Sequence, residues 1–170
     1  MSLDIDAMRE RRRLPYAGGL TLATAKEMLD AGVQEAEKRG MPVTIAIVDA
    51  GGNLVALNRM DNAVLFSIQI AIDKAYTAVF GKWHTGNWGR MFQSSGLTPL
   101  FFHDRWLTLP GGFPLLKNGA ILGGIAASGA THEDLYAARA ALEAGGFSLD
   151  EVEAAIAEIA GGNNIPASEQ

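Results

Sequence analysis

Residues 43–61 read VTIAIVDAGGNLVALNRMD, and residues 109–129 read LPGGFPLLKNGAILGGIAASG. Each stretch holds two apolar runs separated by a turn signal, residues 50–53 in the first and Asn118-Gly119 in the second. Both stretches therefore predict antiparallel hairpins. Both also place polar groups and bare glycine backbone where a ligand could bind.

Helical patterns lie before, between and after the two hairpins. The middle pattern, residues 63–80, has an apolar face of Leu65, Ile68, Ile72, Ala75 and Val79. Its polar side chains fall mostly off that face, and they are Ser67, Asp73, Lys74 and Thr77. A later helix has Thr131 as its expected N-cap, with Asp134 reaching back to it. Helices around two antiparallel hairpins predict an α+β fold.

Composition limits the kinds of protein this chain can be. It has 170 residues, of which 48% are hydrophobic and 19% charged, as in a globular protein of one domain. The net charge of −5 argues against nucleic acid as a partner, and the absence of cysteine excludes thiolate chemistry. No segment resembles a signal peptide or a membrane span, so we expect a cytoplasmic protein without a membrane partner.

Five short segments, taken together and in order, carry a family resemblance. They are VDAGGNL at 48–54, RMD at 59–61, DKAYTA at 73–78, PGGFP at 110–114 and GGIAASG at 123–129. In these segments the chain resembles the HbpS/GlcG-like family, which includes the C-terminal domain of PduO. The resemblance covers roughly residues 20–145.

The resemblance implies a profilin-like sandwich, in which an antiparallel five-stranded sheet carries helices on both faces. Outside the family core (20–145) of this single domain, residues 1–19 lack clear periodicity and are expected to form an N-terminal arm, and residues 146–164 depart from the family with an expected extra C-terminal helix. The resemblance also implies a homo-oligomer. Some family members bind or degrade haem, and others belong to small-molecule catabolism without an agreed activity.

The loop Pro110-Gly111-Gly112 is the strongest candidate for a binding loop. Two glycines expose N–H groups and allow close approach of backbone, which suits a carboxylate or an oxyanion. The resemblance places this loop at the family's ligand pocket. On the middle helix, Lys74 and Thr77 share a face and could point at the same pocket, although a surface Asp–Lys array is the alternative.

Three further charged residues are candidates for the ligand-binding or cofactor-binding site. Asp49 follows the first strand, and its simpler interpretation is a carboxylate that caps the turn. Arg59 has a planar guanidinium suited to bidentate acceptors, and the alternative is an ion pair with Asp61 or Asp49. Arg105 is a further candidate partner for a propionate.

The segment 81–106 holds all three tryptophans and two of the three histidines, His84 and His103. Its aromatic side chains would line a flat haem pocket or form a subunit interface. His103 is the preferred candidate, either as the ligand of haem iron or as a general base. His132, in the first turn of a helix, is expected to face solvent.

Three functional hypotheses follow. The first is an oligomeric protein that binds a small ligand, with haem as a candidate cofactor. The second is a cofactor-independent isomerase or hydrolase acting on a small carboxylate or an intermediate of aromatic catabolism. In that enzyme His103 or Lys74 would be the catalytic base, and the Gly111 and Gly112 amides would hold an oxyanion. The third is a structural subunit without a ligand.

Overall fold

The structure is a computed structural model, and it describes residues 19–96, 104–130, 133–152 and 154. Within these ranges no helix is both long and apolar enough to cross a membrane. The main elements, in chain order, are α1 (Leu22–Lys38), β1 (Thr44–Asp49), β2 (Leu54–Arg59), α2 (Ser67–Gly81), α3 (Thr85–Ser95), β3 (Gly112–Lys117), β4 (Ala120–Ser128) and α4 (Asp134–Ala144).

The two predicted hairpins form and join in one antiparallel sheet of order β2-β1-β4-β3. The central pairing joins β1 to β4, with Thr44 opposite Ser128. The second hairpin turns at Asn118 and Gly119, which both have positive φ, as an Asn-Gly turn requires. This pairing brings the end of β4 beside the start of β1, at the same end of the sheet as Gly112.

The prediction of five strands is wrong for the described residues, which form four. The chain that enters β3 is held by threonine hydroxyls on helices instead of by a strand. The Thr77 hydroxyl accepts a hydrogen bond from the Leu107 N–H at 2.8 Å, and the Thr85 hydroxyl donates to the Leu109 carbonyl at 2.6 Å. Because these backbone groups have partners already, this segment has no need of a neighbouring strand.

Helices cover both faces of the sheet, as predicted. On one face α1 and α4 pack over Ile45, Ile47 and Ile125, and on the other α2 packs near Val48 and Ala126. A Cβ at Gly124 would lie 2.5 Å from the Ala75 carbonyl oxygen, so glycine is what lets α2 approach β4 this closely.

The buried face of α2 differs from the predicted apolar face. Leu65, which precedes the helix, is 73% exposed, whereas Ser67, Lys74 and Thr77, polar residues off the predicted apolar face, are buried. Each buried side chain has a hydrogen-bond partner on another segment; Ser67, for example, lies 2.7 Å from the Thr44 hydroxyl. Apolar periodicity counts hydrophobic residues only, so it cannot detect a buried face built from paired polar groups.

Candidate functional site

A buried ion pair joins α2 to the start of α4. The Lys74 Nζ donates to Asp134 Oδ2 at 2.9 Å and to the Pro110 carbonyl at 2.7 Å. The side chains of Lys74 and Asp134 are only 1% and 5% exposed. Three distant parts of the chain therefore meet at one ammonium group.

Asp134 is positioned by its place at the first turn of α4. Its Oδ1 accepts a hydrogen bond from the Ala130 N–H at 2.7 Å, so the carboxylate reaches back along the chain. The predicted partner, Thr131, lies outside the described residues, as does His132. With Oδ2 on Lys74 and Oδ1 on Ala130, both carboxylate oxygens are engaged.

Burial and pairing act in opposite directions on Lys74. Burial lowers the pKa of its ammonium group, and the Asp134 carboxylate partly offsets this by favouring the charged form. The net effect is a pKa below the usual lysine value. The site therefore holds a buried ammonium group that loses its proton more readily than an ordinary lysine does.

A cavity of about 280 Å³ opens beside this ion pair. Its other walls are largely apolar, and Phe66 and Leu109 are 66% and 52% exposed beside it. The complete described lining is Phe66, Ile70, Lys74, Leu109, Pro110, Ser128, Gly129 and Asp134. The result is a small apolar cavity with one ion pair in its wall.

The Pro110-Gly111-Gly112 loop contributes to this site mainly through its shape. Gly111 has φ +105°, and a Cβ there would lie 2.9 Å from Lys74 Nζ, so glycine is required for the loop to pass the ion pair. The Gly112 N–H donates to the Thr85 hydroxyl at 3.0 Å. The amide of Gly112 is therefore already used and is not open to an oxyanion.

Thr77 and Arg105 lie together but are not among the residues that line the cavity. The Thr77 hydroxyl holds the Leu107 backbone. Arg105 makes an ion pair with Asp73 at 2.9 Å, and its guanidinium stacks 3.9 Å from the Tyr76 ring centroid. Both residues fix the path of the chain that leads to the binding loop.

Asp49 and Arg59 lie at the first hairpin, apart from Lys74. Asp49 Oδ1 accepts hydrogen bonds from the Gly51 and Asn53 N–H groups at 2.8 and 2.9 Å, as in the turn-capping interpretation. Burial tends to raise the pKa of Asp49, but these bonds outweigh it and the pKa is lowered. Arg59 is exposed at the end of β2 and lines an open depression that includes Glu37 and Asp61.

Only one of the three histidines, His84, lies in the described residues. Its ring stacks on Phe113 with centroids 4.6 Å apart, and its Nε2 is buried without a hydrogen-bond partner among the described residues. Burial lowers the pKa of His84 to about 4, so its ring is neutral at pH 7. The preferred candidate, His103, lies outside the described residues, and its role stays a prediction.

Sequence reasoning missed two polar residues of this site, Ser128 and Asp134. Asp134 stood out only as a helix-capping residue, because its partner Lys74 is 60 residues away. The local signal was an acidic residue shortly after a strand ending in Ser128-Gly129. That signal locates a helix start but does not identify a partner across the fold.

Comparisons with known proteins show which family this chain is similar to. Residues 20–143 match the family model described as haem degrading protein HbpS-like. An uncharacterized 15.0 kDa protein of Citrobacter freundii is 36% identical over 129 residues, 73% of this chain and 90% of its own length. Protein GlcG of Escherichia coli K12 is 35% identical over 109 residues, 64% of this chain and 81% of its own.

A solved structure gives the same result at the level of the fold. The crystal structure of a PduOC–haem complex superposes with a TM-score of 0.70 at 30% identity, covering 74% of this chain and 94% of that one. The likeness covers most of both chains. It therefore supports the match from sequence independently.

Proposed function

This chain belongs to the HbpS-like family, and we propose that it binds a small organic molecule in the cavity beside Lys74 and Asp134. One observation carries the proposal: a buried ion pair lies in the wall of an otherwise largely apolar cavity. Small-molecule sites have this composition, with apolar walls and a few polar groups that fix orientation. A purely structural ion pair has no need of a cavity beside it.

The size of the cavity limits the ligand. Pockets for drug-sized molecules range over roughly 300–1,000 Å³, and this cavity of about 280 Å³ lies just below that range. Molecules with one ring or a short chain fit such a space. The proposal is therefore a site for a metabolite with one ring or a short chain.

Amide chemical shifts test this proposal directly. We would titrate ¹⁵N-labelled protein with acetophenone, benzyl alcohol and benzoate, three probes that share a ring and differ in their polar group. Saturable shifts at the amides of Leu109, Gly111, Ser128 and Gly129 are expected for at least one probe. The amides of Gly51 and Gly52 serve as the matched control and should not move. Saturation confined to other regions, or none, would overturn the proposal.

Haem is the second candidate ligand, and it is favoured by the likeness to the haem complex of PduOC. The cavity beside Lys74 does not fit it, because a porphyrin is larger than the ligands that a cavity of this size encloses. His84 is neutral, the form that binds iron, but it is not among the residues that line the cavity. The cavity beside Lys74 is therefore not the candidate site for haem.

A haemin titration followed by absorbance separates the two candidates. Wild type would be compared with His84→Ala and His103→Ala. A saturable Soret band that one substitution abolishes would identify haem as a ligand and name its axial residue. If no saturable band forms, or if neither substitution affects it, histidine-ligated haem is rejected and the small-ligand proposal stands alone.

The proposal also includes assembly into a homo-oligomer. Leu65 and Phe66 are 73% and 66% exposed, next to the cavity, and exposed apolar side chains that lie together often mark an interface. Sedimentation velocity on wild type and on a Leu65→Ser, Phe66→Ser double variant would test this. A monomeric wild type would reject the oligomer.

A further inference from the structure

The cavity carries no net charge from its described lining. Lys74 and Asp134 are its charged residues there, and they lie 2.9 Å apart. An anionic ligand would lose its hydration on entering and would then face the Asp134 carboxylate as well as the Lys74 ammonium. Compensation within the pair therefore removes the attraction that a lone lysine would offer to an anion.

The hydrogen-bonding groups in the cavity lining limit the chemical class of the ligand further. A lysine ammonium has three donors, and two of those on Lys74 are directed to Asp134 and Pro110. Within the part of the chain that the structure describes, one N–H of Lys74 is left for a ligand, whereas both oxygens of Asp134 are engaged. Ser128 adds a hydroxyl to the same lining. These groups match a single acceptor oxygen better than the two oxygens of a carboxylate, which would require more donors.

From this arrangement we propose that the ligand is an uncharged molecule with a small apolar body and one carbonyl oxygen, which accepts a hydrogen bond from Lys74. Asp134 is then the residue that sets the preference for neutral ligands over carboxylates. This inference rests on the proposed function and specifies its ligand class. It differs from the sequence-based expectation of a carboxylate ligand.

Acetophenone and benzoate form a matched pair for the test, because they share an aromatic body and differ in charge. In wild type, acetophenone should bind at least about tenfold more tightly than benzoate, a difference of about 1.4 kcal/mol. In Asp134→Asn, which leaves the Lys74 charge uncompensated, benzoate should gain at least about tenfold relative to acetophenone. Both dissociation constants are measured from amide shifts.

Asp30→Asn is the control variant. It also removes one negative charge, but Asp30 is exposed on α1 and does not line the cavity. The ratio of the two dissociation constants should stay at its wild-type value. A change as large as that of Asp134→Asn would mean that overall charge, not Asp134, sets the preference, and would overturn the inference.

The outcomes separate this inference from the proposed function. If benzoate binds wild type in this cavity as tightly as acetophenone or more so, the inference is wrong and the proposed function stands. If no probe binds at the cavity, both fail. If Asp134→Asn does not fold, the wild-type ratio alone decides, because a ratio below about tenfold contradicts the charge compensation on which the inference rests.

Discussion

The two hairpins have similar glycine-rich sequences but satisfy their polar groups in different ways. At the first, Asp49 bonds to groups two and four residues along the chain, and the turn is complete in itself. At the second, the Pro110 carbonyl bonds to Lys74 and Lys74 to Asp134, across separations of 36 and 60 residues. A cavity lies beside the second arrangement.

This difference shows why similar motifs have different roles. A carboxylate that is satisfied by its own turn has little capacity left for a ligand. An ion pair assembled from three separate segments can leave a donor unused and a space beside it. The segments come from distant parts of the chain and need not fill the space between them. Four substitutions or conditions test this comparison, in order of decreasing expected effect.

The largest effect is expected from Asp134→Ala. Removing one partner leaves the Lys74 charge buried and unpaired, which typically costs about 3–5 kcal/mol of unfolding free energy. Urea unfolding measures this cost. The double variant Lys74→Met, Asp134→Leu should recover much of the loss, because it removes both charges. A single-variant cost below about 1 kcal/mol would show that the pair is not buried as described.

Gly111→Ala should cost about 3 kcal/mol, from a positive φ combined with crowding. The new Cβ would lie 2.9 Å from Lys74 Nζ and 3.0 Å from Asp134 Cβ. Gly119→Ala is the matched control, because Gly119 also has positive φ (+73°), but no described atom beyond its chain neighbours lies within 4 Å of the Cβ position. Its cost should be only about 1 kcal/mol. Equal costs would contradict the close approach of the loop to Lys74.

Acid should destabilise the protein through His84. Its pKa is about 4 when folded, against an ordinary value of 6.5, so the unfolded state binds more protons between these values. Stability therefore falls as the pH drops, by about 2 kcal/mol between about pH 7.5 and pH 5 from this residue. His84→Gln should reduce the slope of unfolding free energy against pH. An unchanged slope would indicate that the imidazole is accessible to protons in the folded state.

The smallest effect is expected from Asp49→Ala. It removes hydrogen bonds in an exposed turn and should cost about 1 kcal/mol. The affinity for acetophenone should not change, since Asp49 lies at the other hairpin. A loss of binding without a comparable loss of stability would place the ligand at the first hairpin and reverse the comparison.

Local signals explain what the sequence predicted correctly. The Asn118-Gly119 turn and the capping of its own turn by Asp49 both depend on residues within a few positions of one another. The helices around the two hairpins predicted the α+β class, and the family segments added the helices on both faces of the sheet.

The parts that could not be predicted depend on partners distant in sequence. The sequence left Lys74 open between a pocket and a surface array, because no nearby residue indicated its buried carboxylate partner. The expected fifth strand is absent from the described ranges because the Thr77 and Thr85 hydroxyls hold the chain before β3. One sequence without known contacts does not reveal either pairing.

A crystal structure of the protein soaked with acetophenone would test most directly where the ligand binds. We predict density in the cavity beside Lys74, with the ketone oxygen at hydrogen-bond distance, about 2.9 Å, from Nζ. The depression around Arg59 should be free of the probe. Ordered acetophenone at Arg59 or at the Asp49 turn, with none beside Lys74, would contradict the assignment of the site to the second hairpin.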